Sequence, residues 1–269
     1  MLEYDFMRRA LLAGGMLAII IPMIGVVMIN RKTSMIGDAL SHSSLSGVAL
    51  GLIFGINPLW SSLLICVLAS FAIEVIRRRF KQYGDMATAI VMSAGIGLAA
   101  VLSDFTPGGK SFESFMFGSI TTVSKEDLRL IGIIFVLVLV LSIYFYNALL
   151  YNSINPMMSR LSGVKTDLVD SFFTLITAIT VAISAKTVGA LMISSLMVIP
   201  VASALLIAKS YKASYLIAII LSLIFMLSGI SISFYQGIKP GGAIVLIAIG
   251  FLLVISLFSL IKKKILVKK

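Results

Sequence analysis

The stretch "SMIGDALSHSSLSGVALG", residues 34–51, places an acid and an imidazole inside an apolar segment. It contains Asp38 and also His42, the single histidine of the 269-residue chain. Residues four apart lie on one face of an α-helix, so Asp38 and His42 share a face with Ser34 and Ser46. The spacing therefore predicts a helix with one polar face and an apolar remainder.

The rest of the chain is strongly apolar: 59% of its residues are hydrophobic, 12% are charged and the mean hydropathy is +1.11. This composition lies outside the range of soluble domains, and apolar runs near 20 residues predict membrane-spanning helices. We expect an all-α polytopic membrane protein with one domain over residues 1–269 and nine spans, or eight if segment 189–208 is re-entrant or broken. The predicted spans lie near residues 10–30, 34–56, 58–76, 87–104, 129–150, 167–185, 189–208, 213–235 and 241–261. The first apolar run is too long for a cleavable signal peptide and leads straight into the next span.

The distribution of basic residues predicts the orientation of the chain. With nine spans, 15 of the 22 lysines and arginines fall on one side of the membrane, including Arg31 and residues 77–79. Cytoplasmic loops carry an excess of such residues, so we expect the N-terminus outside and the C-terminus in the cytoplasm. The net charge of +11 then serves contact with membrane lipid, and no nucleic-acid partner is expected.

Two interpretations of Asp38 and His42 are open. A carboxylate facing lipid would cost about 2.5–3.5 kcal/mol, so the polar face must contact protein or a water-filled path. The two side chains could hold helices together by hydrogen bonds, or they could form a cation site, since carboxylate and neutral imidazole suit Mn²⁺ and Zn²⁺. Two ligands hold such an ion poorly. A homodimer with this helix at its two-fold axis would supply two of each.

Four segments resemble a known family. "GDALSHSSLSGVALG" (37–51) resembles the signature GDALSHAxLPGVALA of the ABC-transporter permeases for manganese, zinc and iron. "FMFGSI" (115–120), "NPMMSRLSGV" (155–164) and "KTVGALMISSLMVIPVASALLIAK" (186–209) follow in the family's order. Asp38 and His42 match the family's metal-path residues. Ser46 replaces a common proline, which leaves a hydroxyl for the path.

The resemblance implies a homodimeric importer permease in a prokaryotic cell membrane. It also implies two copies of a cytoplasmic ATP-binding subunit and an extracellular metal-binding protein as partners. Mn²⁺ or Zn²⁺ would be the transported ion, Fe²⁺ is also accepted by this ligand set, and no permanently bound cofactor is expected.

A segment near residues 152–166 predicts a short cytoplasmic helix. Asn155 can cap it, Pro156 suits its first position and Gly163 can end it. The side chains available for docking are Met157, Met158 and Leu161. An ordinary interfacial turn is the alternative, whereas the resemblance implies a coupling helix that binds the ATP-binding subunit.

Pro200 predicts a break or bend in the span that begins near Gly189, because proline frees a backbone carbonyl in the preceding turn. Broken helices line the pathways of many transporters, although a tolerated kink is the alternative. The single cysteine, Cys66, has no partner for a disulfide within the chain and is interpreted as a small hydrophobic residue.

Missing motifs exclude several functions. The sequence has no G-x-x-x-x-G-K-[ST] loop, so we expect the chain to be a transport subunit and ATP hydrolysis to reside in a separate protein. One histidine cannot form the H-E-x-x-H site of a metalloprotease. The main alternative function is an ion-coupled carrier or channel in which Asp38 and His42 relay protons. The energy source, ATP or a proton gradient, discriminates between the two.

Overall fold

The chain folds as a bundle of α-helices. The computed structural model describes residues 3–80, 83–107, 109–119, 121, 123–154, 159 and 166–267. The helices found in these ranges are α1 (Asp5–Asn30), α2 (Met35–Ile53), α3 (Pro58–Arg79), α4 (Gly84–Ser103), α5 (Gly109–Phe117), α6 (Lys125–Tyr144), α7 (Tyr146–Ile154), α8 (Thr166–Thr187), α9 (Ala190–Ile207), α10 (Tyr211–Gln236) and α11 (Pro240–Val267). The predicted all-α polytopic class is confirmed.

Eight of these helices are long and apolar enough to cross a membrane: α1, α3, α4, α6 and α8–α11. Of the described helices outside this set, α5 and α7 are nine residues long, and the one long helix is α2, in which Asp38, His42 and four serines dilute the apolar residues. Short turns join α2 to α1 and to α3, so α2 also runs from one end of the bundle to the other. The number of apolar spans is therefore eight because α2 is polar. Segment 189–208, which was expected to account for a count of eight, is a full-length helix, α9.

A break at Pro200 is absent, and one predicted span boundary was wrong. Helix α9 continues through Pro200, and it follows the turn at Gly189, where the predicted span 189–208 begins. The predicted span 129–150 is divided at Phe145, whose backbone N–H bonds back to Ile143 and Leu141 and ends α6. In the first case neighbouring helices tolerate the proline inside the helix, as they do in many membrane proteins.

Helix α1 lies at the centre of the bundle and buries 14 of its 26 residues. It packs against α6, α8, α9 and α10. A Cβ added at Gly25 would lie 2.1 Å from the carbonyl oxygen of Met197, so this position requires glycine for α1 and α9 to meet. Large apolar side chains on α3, α4, α6 and α11 are exposed, as helices in contact with lipid require.

Ion pairs mark the two ends of the bundle. At one end, here called the Arg31 face, Arg31 at the end of α1 pairs with Asp170 in the first turns of α8. At the other, the Lys186 face, Lys186 near the end of α8 bonds Asp127 at 2.6 Å. The Asp127 side chain also completes a capping box with Ser124 at the start of α6, which satisfies backbone donors there.

Candidate functional site

The polar helix α2 packs closely on α3 and α4 because glycines remove side chains at the contacts. A Cβ at Gly47 would lie 2.6 Å from the Ser62 Cα on α3. A Cβ at Gly95 of α4 would lie 2.8 Å from the Ser43 nitrogen and 3.0 Å from the carbonyl carbon of His42. The backbone that carries the imidazole is therefore in direct contact with α4.

The serines of α2 are buried, and most of their hydroxyls have partners. Ser44 shares a hydrogen bond of 2.9 Å with Ser62, and the Ser43 hydroxyl donates to the Ala39 carbonyl at 2.8 Å. Ser46, expected to offer its hydroxyl to a path, is 1% exposed and donates to the Ser43 carbonyl at 2.7 Å. The Ser44–Ser62 bond joins α2 to α3, whereas the other two bonds satisfy buried hydroxyls within α2 and leave Ser46 away from any open surface.

Asp38 and His42 are half-buried, whereas residues 39–41 and 43–49 are buried. One helical turn, about 6 Å of rise, separates the two, and His42 lies near the middle of α2. Ser34 is half-buried at the start of the same face and its side chain makes no capping bond. The structure therefore groups Ser34, Asp38 and His42 on one partly accessible face.

This face offers few metal ligands within one chain. Among the described residues, no group of three or more His, Cys, Asp or Glu side chains could hold a metal ion. One chain thus contributes a carboxylate and an imidazole, fewer than the four ligands that Zn²⁺ usually takes.

Gly189 positions α9, which packs against α2. Its φ of +97° is in the region that favours glycine, and a Cβ there would lie 2.4 Å from the carbonyl carbon of Phe117. Further along α9, the Met197 sulfur would lie 3.2 Å from a Cβ added at Gly37 of α2. The chain interruption at Gly189 therefore sets the position of a helix that contacts α2 beside Asp38.

The residues predicted to couple the chain to an ATP-binding subunit lie outside the described residues. They are Asn155, Pro156, Met157, Met158, Leu161 and Gly163. The structure describes the flanking helices, α7 up to Ile154 and α8 from Thr166.

A polar cluster on the Arg31 face was missed in the sequence. The Asp170 carboxylate pairs with Arg31 and accepts a hydrogen bond of 2.5 Å from Asn152 on α7. Burial lowers the pKa of the Arg31 guanidinium and the Asp170 carboxylate opposes this shift, so the group stays charged at neutral pH. The sequence shows Arg31 and Asp170 as charges at the edges of apolar runs, but no pattern in it indicates that the two side chains pair.

Gly95→Ala is expected to destabilise the packing of α2 against α4. The added methyl group would meet backbone atoms at 2.8 Å, and overpacking of this kind costs about 1–3 kcal/mol. Gly97→Ala is the matched control, because a Cβ at Gly97 meets nothing within 4 Å. Thermal unfolding in detergent should show a lower Tm for Gly95→Ala and an equal or higher Tm for Gly97→Ala. Equal shifts in both variants would contradict the close contact.

Apolar helices around a polar, glycine-packed helix define a multi-pass integral membrane protein, and its bacterial relatives indicate a cell membrane. Residues 3–259 match the ABC 3 transport family, and the chain belongs to this family. It is 30% identical over 257 residues to the high-affinity zinc uptake system membrane protein ZnuB of Haemophilus influenzae, covering 95% of this chain and 98% of that protein. It is 26% identical over 259 residues to the manganese transport system membrane protein MntC of Listeria innocua, covering 96% and 92%.

A solved structure confirms the architecture. PsaBC from Streptococcus pneumoniae, in complex with Fab, superimposes with a TM-score of 0.84 at 24% identity. The match covers 94% of this chain and 91% of that one. At this identity the likeness establishes the fold alone.

Proposed function

We propose that this chain is the membrane permease of an ATP-driven importer for a divalent transition metal, Mn²⁺ or Zn²⁺. The observation that carries the proposal is the half-buried face of α2 on which Asp38 and His42 lie one turn apart. Carboxylate and neutral imidazole are ligands that both metals accept. The family and the relatives named for zinc and manganese transport support the same function.

The site requires a second copy of the chain. One copy supplies two side-chain ligands, and a two-fold axis beside α2 would bring two Asp38 and two His42 side chains together. Four ligands of this type suffice for a tetrahedral site. The half-buried state of these side chains in the single chain supports this arrangement, because the accessible face is available to a partner.

The energy comes from other subunits in this proposal. Two copies of a cytoplasmic ATP-binding subunit would dock on residues 155–163, and an extracellular protein would deliver the metal. The Arg31 face would be cytoplasmic, since it carries Arg31 and the basic residues 77–79, and the N-terminus would lie outside. ATP hydrolysis belongs to the partners because the sequence has no phosphate-binding loop.

The Asp38–His42 site would hold the ion transiently. Conduction needs sites that bind an ion strongly enough to admit it and weakly enough to release it. A site divided between two chains meets this need, because a small separation of the two α2 helices removes half of the ligands at once.

Transport assays in proteoliposomes test this function. Permease reconstituted with its ATP-binding subunit and loaded metal-binding protein should accumulate radioactive Mn²⁺ or Zn²⁺ only when ATP is supplied. An imposed proton gradient without ATP should give no uptake. Uptake driven by the gradient alone would instead establish the ion-coupled carrier.

Metal binding by the purified permease is expected to weaken about tenfold or more as the pH is lowered from about 7.5 to about 5.5. An imidazole ordinarily changes its charge between about pH 5 and 8, and a protonated His42 cannot donate an electron pair to a metal. Titration calorimetry with Mn²⁺, without the external protein, measures the effect. The His42→Gln variant should bind weakly at every pH, and a pH-independent affinity in the unmodified permease would exclude His42 as a ligand.

A further inference from the structure

The first turns of α8 are held by three other helices. The Asp170 carboxylate pairs with Arg31 at the end of α1 and accepts a hydrogen bond from Asn152 of α7. Arg78, at the end of α3, donates to the Ser171 hydroxyl at 3.0 Å. Asp170 is thus the point where α1, α7 and α8 meet on the Arg31 face.

The Arg31–Asp170 pair is largely withdrawn from water. The side chain of Arg31 is 9% exposed and that of Asp170 is 22% exposed. The guanidinium also lies 5.7 Å from the centre of the Phe173 ring on α8, which favours the cation at this position. A charge buried to this degree is strongly disfavoured without its partner, so the pair fixes α1 against α8.

A closed turn joins Arg31 to the helix that carries Asp38. The Thr33 N–H donates to the Met28 carbonyl at 2.9 Å, and Lys32 adopts a φ of 56°, the arrangement that ends many helices. The next helix, α2, begins at Met35, and Asp38 lies in its first turn. A displacement of Arg31 therefore reaches Asp38 through a hydrogen-bonded turn and one helical turn, with no flexible loop between them.

The other side of the cluster leads to the segment where an ATP-binding subunit would dock. Asn152 lies in the last turn of α7, which ends at Ile154, and α8 begins at Thr166. The two helices that enter and leave the docking segment are therefore joined to each other at Asp170 by the Asn152 bond.

We propose that Asp170 is a positioning residue that transmits movement of α7 and α8 through Arg31 to the metal-binding face of α2. This role rests on the proposed function, because it assumes that ATP-driven movement enters at α7 and α8. Asp170 itself touches neither metal nor nucleotide in this account. Its loss should separate ATP hydrolysis from transport.

Three variants test the role in the complete transporter: Asp170→Asn, Arg31→Gln and the double substitution. The readout is the amount of Mn²⁺ or Zn²⁺ taken up per ATP hydrolysed in proteoliposomes, with copurification of the ATP-binding subunit as the measure of assembly. Each single variant should assemble, hydrolyse ATP and lower this ratio about tenfold. The double variant should lose no more than either single variant, because all three break the same link.

Asp127→Asn is the matched control. It removes the partner of Lys186, an ion pair of comparable burial near the opposite end of α8, and it should leave the ratio within about twofold of the unmodified protein. An equal loss in this control would assign the effect to general destabilisation of α8 and overturn the proposal. A normal ratio in Asp170→Asn would overturn it as well.

If the single variants do not accumulate in the membrane, the exchanged pair Arg31→Asp, Asp170→Arg decides. It keeps an ion pair between α1 and α8, so recovery of coupled uptake would support the transmission role and failure to recover would overturn it. Absence of ATP-dependent uptake in the unmodified protein would instead refute the proposed function. The two failures are therefore distinguishable.

Discussion

Uptake of Mn²⁺ and Zn²⁺ is expected to fall about 100-fold or more when Asp38 or His42 is replaced by alanine. In a dimer each substitution removes two of the four proposed ligands, and even outer partners of metal ligands are worth about 10–100-fold in affinity. The protein should remain in the membrane and bind its ATP-binding subunit, because both side chains are half-buried and neither belongs to the predicted docking segment, residues 155–163. Radioactive uptake, normalised to protein in the membrane, measures the effect.

Ser46→Ala and Ser34→Ala are the controls for the polar face. The Ser46 hydroxyl is buried and bonded within its own helix, so its removal should change uptake by less than about threefold. Ser34→Ala tests whether the accessible face extends to the start of α2. Normal transport by the double variant Asp38→Ala, His42→Ala would show that the two residues only hold helices together.

The second large effect is expected at Gly189, where alanine should prevent accumulation of folded protein. A positive φ costs a residue with a Cβ about 1–2 kcal/mol, and the added atom would lie 2.4 Å from the carbonyl carbon of Phe117. Backbone occupies that space, so α5 and α9 would have to separate. Size-exclusion chromatography of detergent extracts should show little monodisperse protein.

Gly237→Ala measures the cost of a positive φ at a position without a steric contact. Gly237 has a φ of +66°, and a Cβ there would meet nothing within 4 Å. This variant should accumulate with a modest decrease in Tm. If both variants behave alike, the crossing of α5 and α9 at Gly189 contributes nothing beyond the φ preference.

The helical class and the polar face of α2 were predictable because both follow from local periodicity. Apolar runs near 20 residues identify spans, and the four-residue interval between Asp38 and His42 identifies a shared face. The direction of the Ser46 hydroxyl was not predictable in this way. It can face the path or donate to the Ser43 carbonyl one turn back, and the packing of α2 against α3 and α4 decides between the two.

Contacts between residues far apart in the chain account for the features that sequence analysis did not predict. The helix α5, nine residues between two spans, was not expected, and its last residue Phe117 packs against Gly189 far along the chain. At Pro200 the sequence left a break or bend and a tolerated kink open, and the helix continues through it because tertiary packing outweighs the local preference. The pairing of Arg31 with Asp170 joins residues far apart in sequence, and no local pattern in a single sequence indicates such a contact.

The single cysteine makes the chain suited to spectroscopic distance measurement. Cys66 is fully buried in α3, and its sulfur lies 3.5 Å from the Leu40 carbonyl of α2. Thiol-directed spin labels and fluorophores need an accessible thiol, so the unmodified chain should remain unlabelled in its folded state. A cysteine introduced on an exposed turn would then carry the only probe, without any prior substitution in the core. In a symmetric pair of chains, that one probe would report the separation of the two copies during the nucleotide cycle.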